Sequence, residues 1–513
     1  MDLPRTAVVL AHGRGDHCFP YGGQGALRPK YAMEVVDVPL VRRVIDALLG
    51  CGMERVVVAT GFRADAVEAV VAAAARPEVR AIRVGAWREG DAPALAEILS
   101  VTGHDGPLVI VAGDLLVEAE DIRRACATWA AAPQPSIALM VDELPPEEDA
   151  ASWVGVDLDG ERVAAIRGRR EVTTVRLTGL AVVPAEALPH LRAIERGREE
   201  RRYLHATWGA LAAEGLPLVA TRAAGPVVHV DRCFDYLEAN AVVRDRTLRG
   251  IATARGVYAY VGGDGEPDPR FIFPGTIIAP GARLVFEEGS FIGPYDTWEA
   301  NQRAIRGTIG TGVLDIRIRG NIHLGRGFRI GLNALIEGDL VTGAEGYVED
   351  SVVEPNVVLG DRVRVRRGAV VRQGSVCGAG SRFECAADFA GVAGPGTVYM
   401  HPGQCQIVTG RNCDLGAGNW CGTWRFDSGV ARFLIGGRLV RPRHAWLGNT
   451  AYLGDEVRTG IMVCFAPGTR VGADTLIGMG VAASRDLEPG TYYRLRQDVE
   501  ALPVAQVRPR RVP

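Results

Sequence analysis

The chain has 513 residues, of which 58 are lysine or arginine and 61 aspartate or glutamate, leaving a formal charge of −3. So even a balance argues against nucleic acid or an anionic membrane as the partner, and no apolar run is long enough to span a bilayer. The length predicts roughly two to four domains. The opening stretch MDLPRTAVVLAHGRGD has no charged segment followed by a long apolar one, so no secretory signal is expected. None of the ten cysteines forms a C-x-x-C, and the eight-residue spacing of Cys405, Cys413 and Cys421 matches no zinc pattern. Reduced, mostly buried thiols of a cytoplasmic protein are expected.

In chain order, TAVVLA (6–11) reads as a strand that runs into the glycine loop HGRGD. PLVRRVIDALLGCG (39–52) has helical spacing, with Val41, Val44, Ile45 and Leu48 on one face and a glycine stop. A strand is predicted over 55–61, helices over 65–75 and 91–103, and a buried strand over 107–114. VGVDLDGERVAAI (154–166) alternates around an Asp-Gly turn and reads as a hairpin. Strands alternating with helices predict a mostly parallel sheet covered on both faces. Such sheets bind ligands beyond the carboxyl ends of their strands. There the sequence places Gly13-Arg14-Gly15 after the first strand and Asp114 at the end of the buried strand over 107–114. Glycines let backbone N–H groups approach a phosphate, and a strand-end carboxylate can hold a Mg²⁺ that bridges phosphates.

ALRPKYAM (26–33) carries Lys30, the chain's sole lysine. Codon drift would leave one lysine anywhere. A phosphate pocket that accepts a compact ammonium and excludes a planar guanidinium would require it at one place. Leu10-Ala11-His12-Gly13-Arg14-Gly15, then Pro29-Lys30, then the strand ending in Gly113-Asp114, resembles the sugar-1-phosphate nucleotidyltransferases. EGDAPAL (89–95), with Gly90, is similar to their nucleobase-side motif, and HVDRCFDYLEAN (229–240) to their closing one. The resemblance covers about residues 5–240. It implies an NTP and a sugar 1-phosphate as substrates, an NDP-sugar and pyrophosphate as products, and Mg²⁺ as cofactor. Leu10, Ala11, Gly13, Arg14, Gly15, Lys30 and Gly90 would then bind nucleotide. Lys30 would neutralise phosphate charge and Asp114 would hold the metal, with Asp231 or His229 as second ligand. Asp16-His17 stand where the family has Thr-Arg; Arg28 and the glycines of YGGQG (21–25) are candidates to compensate.

Many of the 64 glycines lie in the second half, where a six-residue period appears. Val353, Leu359, Val365, Val371, Cys377, Phe383 and Phe389 form one run, and Leu447, Leu453, Thr459, Phe465, Val471, Ile477 and Ala483 a second. Ile318, Leu324, Ile330 and Ile336 form an earlier frame. This is the hexapeptide signature of a left-handed parallel β-helix, with roughly a dozen coils of about 18 residues and excursions expected near 286–312 and 422–446. The predicted organisation is an α/β Rossmann-like nucleotidyltransferase domain over 1–245, the β-helix over 252–490, and a basic tail over 491–513.

MHPGQCQIVTGRNCDLGAGNWCGTWRFD (400–427) resembles the acceptor-site stretch of the bifunctional N-acetylglucosamine-1-phosphate uridyltransferase/glucosamine-1-phosphate acetyltransferases. Residues 446–487 resemble the archaeal-type members of that family. The resemblance implies His401 as a general base that takes a proton from an amine, Asp414 on the acceptor, and Gly460, Arg485 and Arg494 on a CoA thioester. It also implies a homotrimer with acyl donors bound between neighbouring prisms. The family's acceptor-site lysines are absent. The leading expectation is therefore a bifunctional transferase. One rival is a monofunctional nucleotidyltransferase whose β-helix oligomerises or regulates. The other is an assembly protein with both sites decayed.

Overall fold

The structure, a computed structural model, describes residues 3–145, 153–167, 173–194, 202–225, 227–293, 316–426 and 429–496. Most of the expected basic tail, most of the excursion placed at 286–312, and Asp427 of the acceptor-like stretch lie outside them.

Strands β1 (Thr6–Ala11), β2 (Arg55–Thr60), β3 (Val79–Arg83), β4 (Leu108–Ala112), β5 (Ile137–Glu143), β6 (Gly155–Asp159), β7 (Arg162–Arg167), β8 (Val175–Val183) and β9 (Leu218–Arg222) form one sheet. Their order is β3-β2-β1-β4-β8-β5-β9-β7-β6. β1 to β4 are mutually parallel where they pair, and β8 runs antiparallel to β4 and β5. β6 and β7 are the predicted hairpin, closed at Gly160 with a φ of +61°. Side chains alternate across the sheet, as the pleat requires. Ala7, Val9 and Ala11 enter the core beneath helices α1 (Leu40–Gly50), α2 (Ala64–Ala73) and α4 (Ala119–Ala131). Val8 and Leu10 enter the opposite core, under α3 (Asp91–Thr102) and α5 (Leu204–Ala213). The predicted face of α1, Val41, Val44, Ile45 and Leu48, is fully buried. β1 and β4 are neighbours, so the glycine loop and Asp114 emerge side by side at the carboxyl edge. Gly113 permits this closeness, since a Cβ there would sit 2.8 Å from that of Ala11.

After helix α6 (Cys233–Arg249) the chain becomes a stack of rungs built from short, mostly parallel strands. One face of the stack holds ten strands, from Phe291–Ile292 to Tyr492–Tyr493. The register Arg329↔Tyr347, Tyr347↔Arg364, Arg364↔Arg382 shows the repeat. Every member of the run from Val353 to Phe389 and of the frame from Ile318 to Ile336 points inward and is at most 1% exposed. Thr459 is partly exposed and spends its hydroxyl as an acceptor for the Gly416 amide and the Asn419 side chain. Leu447 departs from the predicted register. It lies in a short helix, Ala445–Gly448, and packs toward the first half of the chain. The excursion of 422–446 contains a hairpin, Phe433–Ile435 with Arg438–Val440, turned by Gly436 and Gly437. The first predicted excursion starts later than expected, because Phe291–Ile292 is still a rung strand paired with Arg329–Ile330. All ten cysteines are unpaired; Cys18, Cys126, Cys233, Cys377, Cys405 and Cys413 are buried, and Cys464 is exposed.

Sheet and stack share a hydrophobic core. Cys18, Tyr21, Met33, Val35, Cys233, Phe234 and Tyr236 pack with Val376, Val392, Val408, Phe433, Val440 and Tyr452. Polar bonds flank it. Tyr21 donates to the Val408 carbonyl at 2.9 Å, and the Ala379 amide donates to Asp37 at 2.8 Å. The segment that carries Lys30 is thus held on the rungs as well as on its own sheet.

Candidate functional site

The carboxyl edge of β1 and β4 opens into a cleft of about 560 Å³. Leu10, Gly13, Arg14, Gly15, Lys30, Gly90, Asp114 and Asp231 all line it. Ala11 does not. Its side chain is fully buried on the other face of the sheet, as the strand alternation dictates.

Lys30 is 3% exposed and lies between two carboxylates. Its Nζ is 2.5 Å from Asp114 Oδ2 and 2.9 Å from Asp231 Oδ1. Burial alone would depress the ammonium, but Asp114 and Asp231 more than reverse that and hold its pKa well above the ordinary value. Burial likewise opposes the charge on Asp114, and His229 and Lys30 overcome it, leaving the carboxyl below the usual range. His229 Nε2 approaches Asp114 Oδ1 at 3.1 Å, while His229 Nδ1 is buried with no hydrogen-bond partner. Both residues offered as the second metal ligand are present in the cleft, Asp231 against Lys30 and His229 against Asp114. Gly15, with a φ of +71°, makes room for the lysine stem; a Cβ there would lie 3.1 Å from Lys30 Cδ.

The two residues that stand in place of Thr-Arg divide the work. Asp16 is tied to Arg14, whose Nη2 donates to it at 2.6 Å, so its charge is matched locally. His17 turns inward, with Nδ1 3.4 Å from Asp231 Oδ2. The compensation expected from Arg28 does not occur. Arg28 is buried away from the cleft, bonded to Asp455 and Glu34, because it joins the sheet half to the rungs. The YGGQG glycines also serve packing. A Cβ on Gly22 would collide with the Gly15 carbonyl, and one on Gly25 with Pro489.

His12 was not singled out by the sequence, although it occupies the variable place in L-A-x-G-x-G. It is 6% exposed and lines the cleft beside Trp87 and Tyr31. Burial pushes its imidazole down to about 4, against a hydrogen bond to the Trp87 backbone and the charge of Asp114, and its Nδ1 has no partner. The shift favours the neutral imidazole.

Among the described residues, no group of three or more His, Cys, Asp or Glu is arranged to hold a metal. A Mg²⁺ of the nucleotide-bridging kind does not need one, since it takes one or two carboxylates and completes its octahedron with water and phosphate oxygens. Asp114 and Asp231 fit that demand. They are hard oxygen donors from separate segments that converge on one cation, here the Lys30 ammonium.

In the rung stack, His401 is exposed in the turn before the strand Gly403–Thr409. Asp414 is exposed and lies 4.0 Å from Arg458. Arg485 and Arg494 are exposed, while Gly460 is pressed between rungs, against Gly416 and Met479. A groove of about 450 Å³ on this flank is lined by Trp420, Cys421, Cys464, Phe465 and Ser484 among others. None of His401, Asp414, Gly460, Arg485 and Arg494 lines it. The structure thus assembles the first predicted constellation in one cleft, while His401, Asp414, Gly460 and Arg494 of the second lie outside the groove, on or beside successive rungs of one face of the stack.

The carboxyl edge of a mixed sheet flanked by helices thus carries a glycine loop, a lysine and two carboxylates. Residues 7–251 match the MobA-like NTP transferase domain family. The chain is also similar, at modest identity, to curated bifunctional proteins. It is 26% identical over 435 residues to the bifunctional protein GlmU of Anaeromyxobacter dehalogenans strain 2CP-1, covering 81% of this chain and 78% of that protein. It is 33% identical over 92 residues to the bifunctional protein GlmU of Methanocaldococcus jannaschii, 18% of this chain and 22% of the relative. It is 31% identical over 88 residues to the bifunctional sugar-1-phosphate nucleotidylyltransferase/acetyltransferase of Sulfurisphaera tokodaii, 17% and 21% of the two chains. Among solved structures, the inositol-1-phosphate CTP transferase from T. maritima is 19% identical, with a TM-score of 0.41 over 48% of this chain and 98% of that one. No helix among the described residues is long and apolar enough to cross a membrane.

Proposed function

We propose that the sheet half transfers a nucleotidyl group from an NTP to a sugar 1-phosphate or a related phosphate, with release of pyrophosphate. The observation that carries this reading is the sole lysine, buried between Asp114 and Asp231 at the mouth of the glycine loop. A phosphate oxygen of the acceptor attacks the α-phosphorus of the NTP, the α–β bridging bond breaks, and pyrophosphate leaves with the bond's electrons. The nucleophile is already anionic, so no general base is needed. Catalysis is positioning plus neutralisation of charge. Lys30 supplies that charge from a desolvated site. His229 and His17 orient the two carboxylates, and His12 and Gly90 face the nucleotide. Mg²⁺, when bound by Asp114 and Asp231, neutralises the triphosphate.

For the rung stack, read as a left-handed β-helix that trimerises, the proposed reaction is acyl transfer from a CoA thioester to an amine, with His401 as base. The names of the bifunctional relatives support it. A second reading, in which the stack only supports the first site, is favoured by the shared core of the two halves. We place the junction of the two units near residue 250, and the protein in the cytoplasm.

One experiment tests both readings. The purified chain is offered each common NTP with a panel of sugar 1-phosphates and Mg²⁺, and separately acetyl-CoA with amino sugars and their phosphates. Pyrophosphate release supports the first activity and its absence across the panel removes it. Free CoA does the same for the second.

A further inference from the structure

The hairpin Phe433–Val440 leaves the rung stack and ends against the nucleotidyl-transfer cleft. Its base is fixed from both sides. Phe433 packs on Phe234 at 5.4 Å between ring centres, three positions beyond Asp231. Arg470, from a rung, lies over the rings of Phe433 and Phe19 and donates to the Leu434 carbonyl at 3.3 Å. Just past the hairpin, Arg443 pairs with Glu238 of α6. At the tip, Gly436 and Gly437 both have positive φ, +55° and +78°, the geometry of a two-residue hairpin turn that matches strand twist. The two glycines differ in what they face. A Cβ on Gly436 would stand 3.2 Å from His17 Nε2, whereas one on Gly437 would meet nothing within 4 Å. The other ring nitrogen of His17 faces Asp231.

We infer that the hairpin tip is a positioning element of the cleft. Gly436 backs the His17 imidazole, and His17 in turn holds Asp231 beside Lys30. The C-terminal half thereby completes the N-terminal site. The inference rests on the proposed nucleotidyl transfer for its catalytic consequence, but the contact itself is independent of it.

The matched glycines provide the test. Gly436→Ala and Gly437→Ala impose a similar left-handed strain, and only the first meets His17. Gly436→Ala should lower kcat for pyrophosphate release at least about fivefold, because sub-ångström misplacement of a catalytic group is costly, with KM for NTP little changed. It should also move the His17 imidazole resonances, identified by their loss in His17→Gln. Gly437→Ala should do neither. In a His17→Ala background, adding Gly436→Ala should cost nothing further, since the pair acts as one unit. Gly436→Asn, which tolerates positive φ, serves if the alanine variant does not fold. Equal effects from the two glycines, a loss that persists without His17, or unmoved His17 resonances would overturn the inference. If the wild type releases no pyrophosphate with any NTP, the proposed function fails, and the His17 resonances alone decide the contact.

Discussion

Arg28 and Asp455 are 427 positions apart in sequence, and the guanidinium Nε of the first donates to Oδ2 of the second at 2.8 Å. Arg28 also donates to Glu34 at 2.6 Å, and Arg411 of the stack pairs with the same Glu34. Two positions beyond Arg28 is Lys30. The ion cluster therefore anchors the segment that carries Lys30 to the rungs, in a place where Arg28 is 7% exposed. Removing one member of a buried, hydrogen-bonded charge set leaves the others uncompensated. Arg28→Met is expected to destabilise the protein by about 3 kcal/mol, read from urea unfolding. An unchanged midpoint would mean that the cluster contributes nothing to holding the halves together.

Lys30→Arg keeps the charge and enlarges the head. The lysine stem already touches the space above Gly15, and its ammonium fits between carboxylates at 2.5 and 2.9 Å. The expected loss in pyrophosphate release is at least about tenfold, or ~1.4 kcal/mol of transition-state stabilisation. Thermal stability and any acyl transfer should stay near wild type. Retention of full pyrophosphate release would make the lone lysine an accident of codon drift.

Asp114→Asn removes the charge proposed to bind Mg²⁺ and leaves Lys30 with one carboxylate. Nucleotidyl transfer should fall below detection at ordinary Mg²⁺, while the oligomeric state and the circular dichroism of the stack are unchanged. Full activity at low millimolar Mg²⁺ would take Asp114 out of the metal site.

Asp37, at the junction with the stack, has its pKa pushed up to about 6 by burial, against the hydrogen bond from the Ala379 amide. A carboxyl raised above its unfolded value adds stability that is fully present below the unfolded pKa and lost as pH rises through the folded one. Its stabilising contribution is therefore expected to fade between about pH 4 and pH 6. Asp37→Asn keeps the acceptor oxygen and removes the charge. It should raise the unfolding free energy by about 1–2 kcal/mol at pH 7.5 and by little at pH 4. Denaturant titrations of both proteins at the two pH values measure this, and an equal difference at both would refute it.

His401→Ala should lower CoA release by roughly 10²–10⁴ if the stack is an acyltransferase, with pyrophosphate release unaffected. Turnover of acetyl-CoA at the wild-type rate would exclude His401 as the base.

The first half was readable because its helices and strands are amphipathic at their own periods; Val41, Val44, Ile45 and Leu48 all lie where the spacing puts them. The hexapeptide period was readable for the same reason, one inward residue per face. Leu447 satisfied the period and still left the stack, since the period cannot see that a neighbouring core competes for an aliphatic side chain. Lys30, Asp114 and Asp231 could be associated by motif, but Arg28 could not be separated from them, because its partner Asp455 lies in the other half of the chain. The hairpin carried a local signal, Gly-Gly between apolar runs in FLIGGRLV, yet its contact with His17 is long-range and has no sequence signature.

The chain has one side-chain amine, itself 3% exposed and clasped as an ammonium by two carboxylates, so a lysine-selective reagent finds a single, shielded lysine to attack. Reagents for lysine need the neutral amine in contact with solvent. The rate at which Lys30 reacts is therefore a clock for the parting of Asp114 and Asp231 from it, and the chain carries, at the centre of its cleft, a reporter that no engineered label could place more closely.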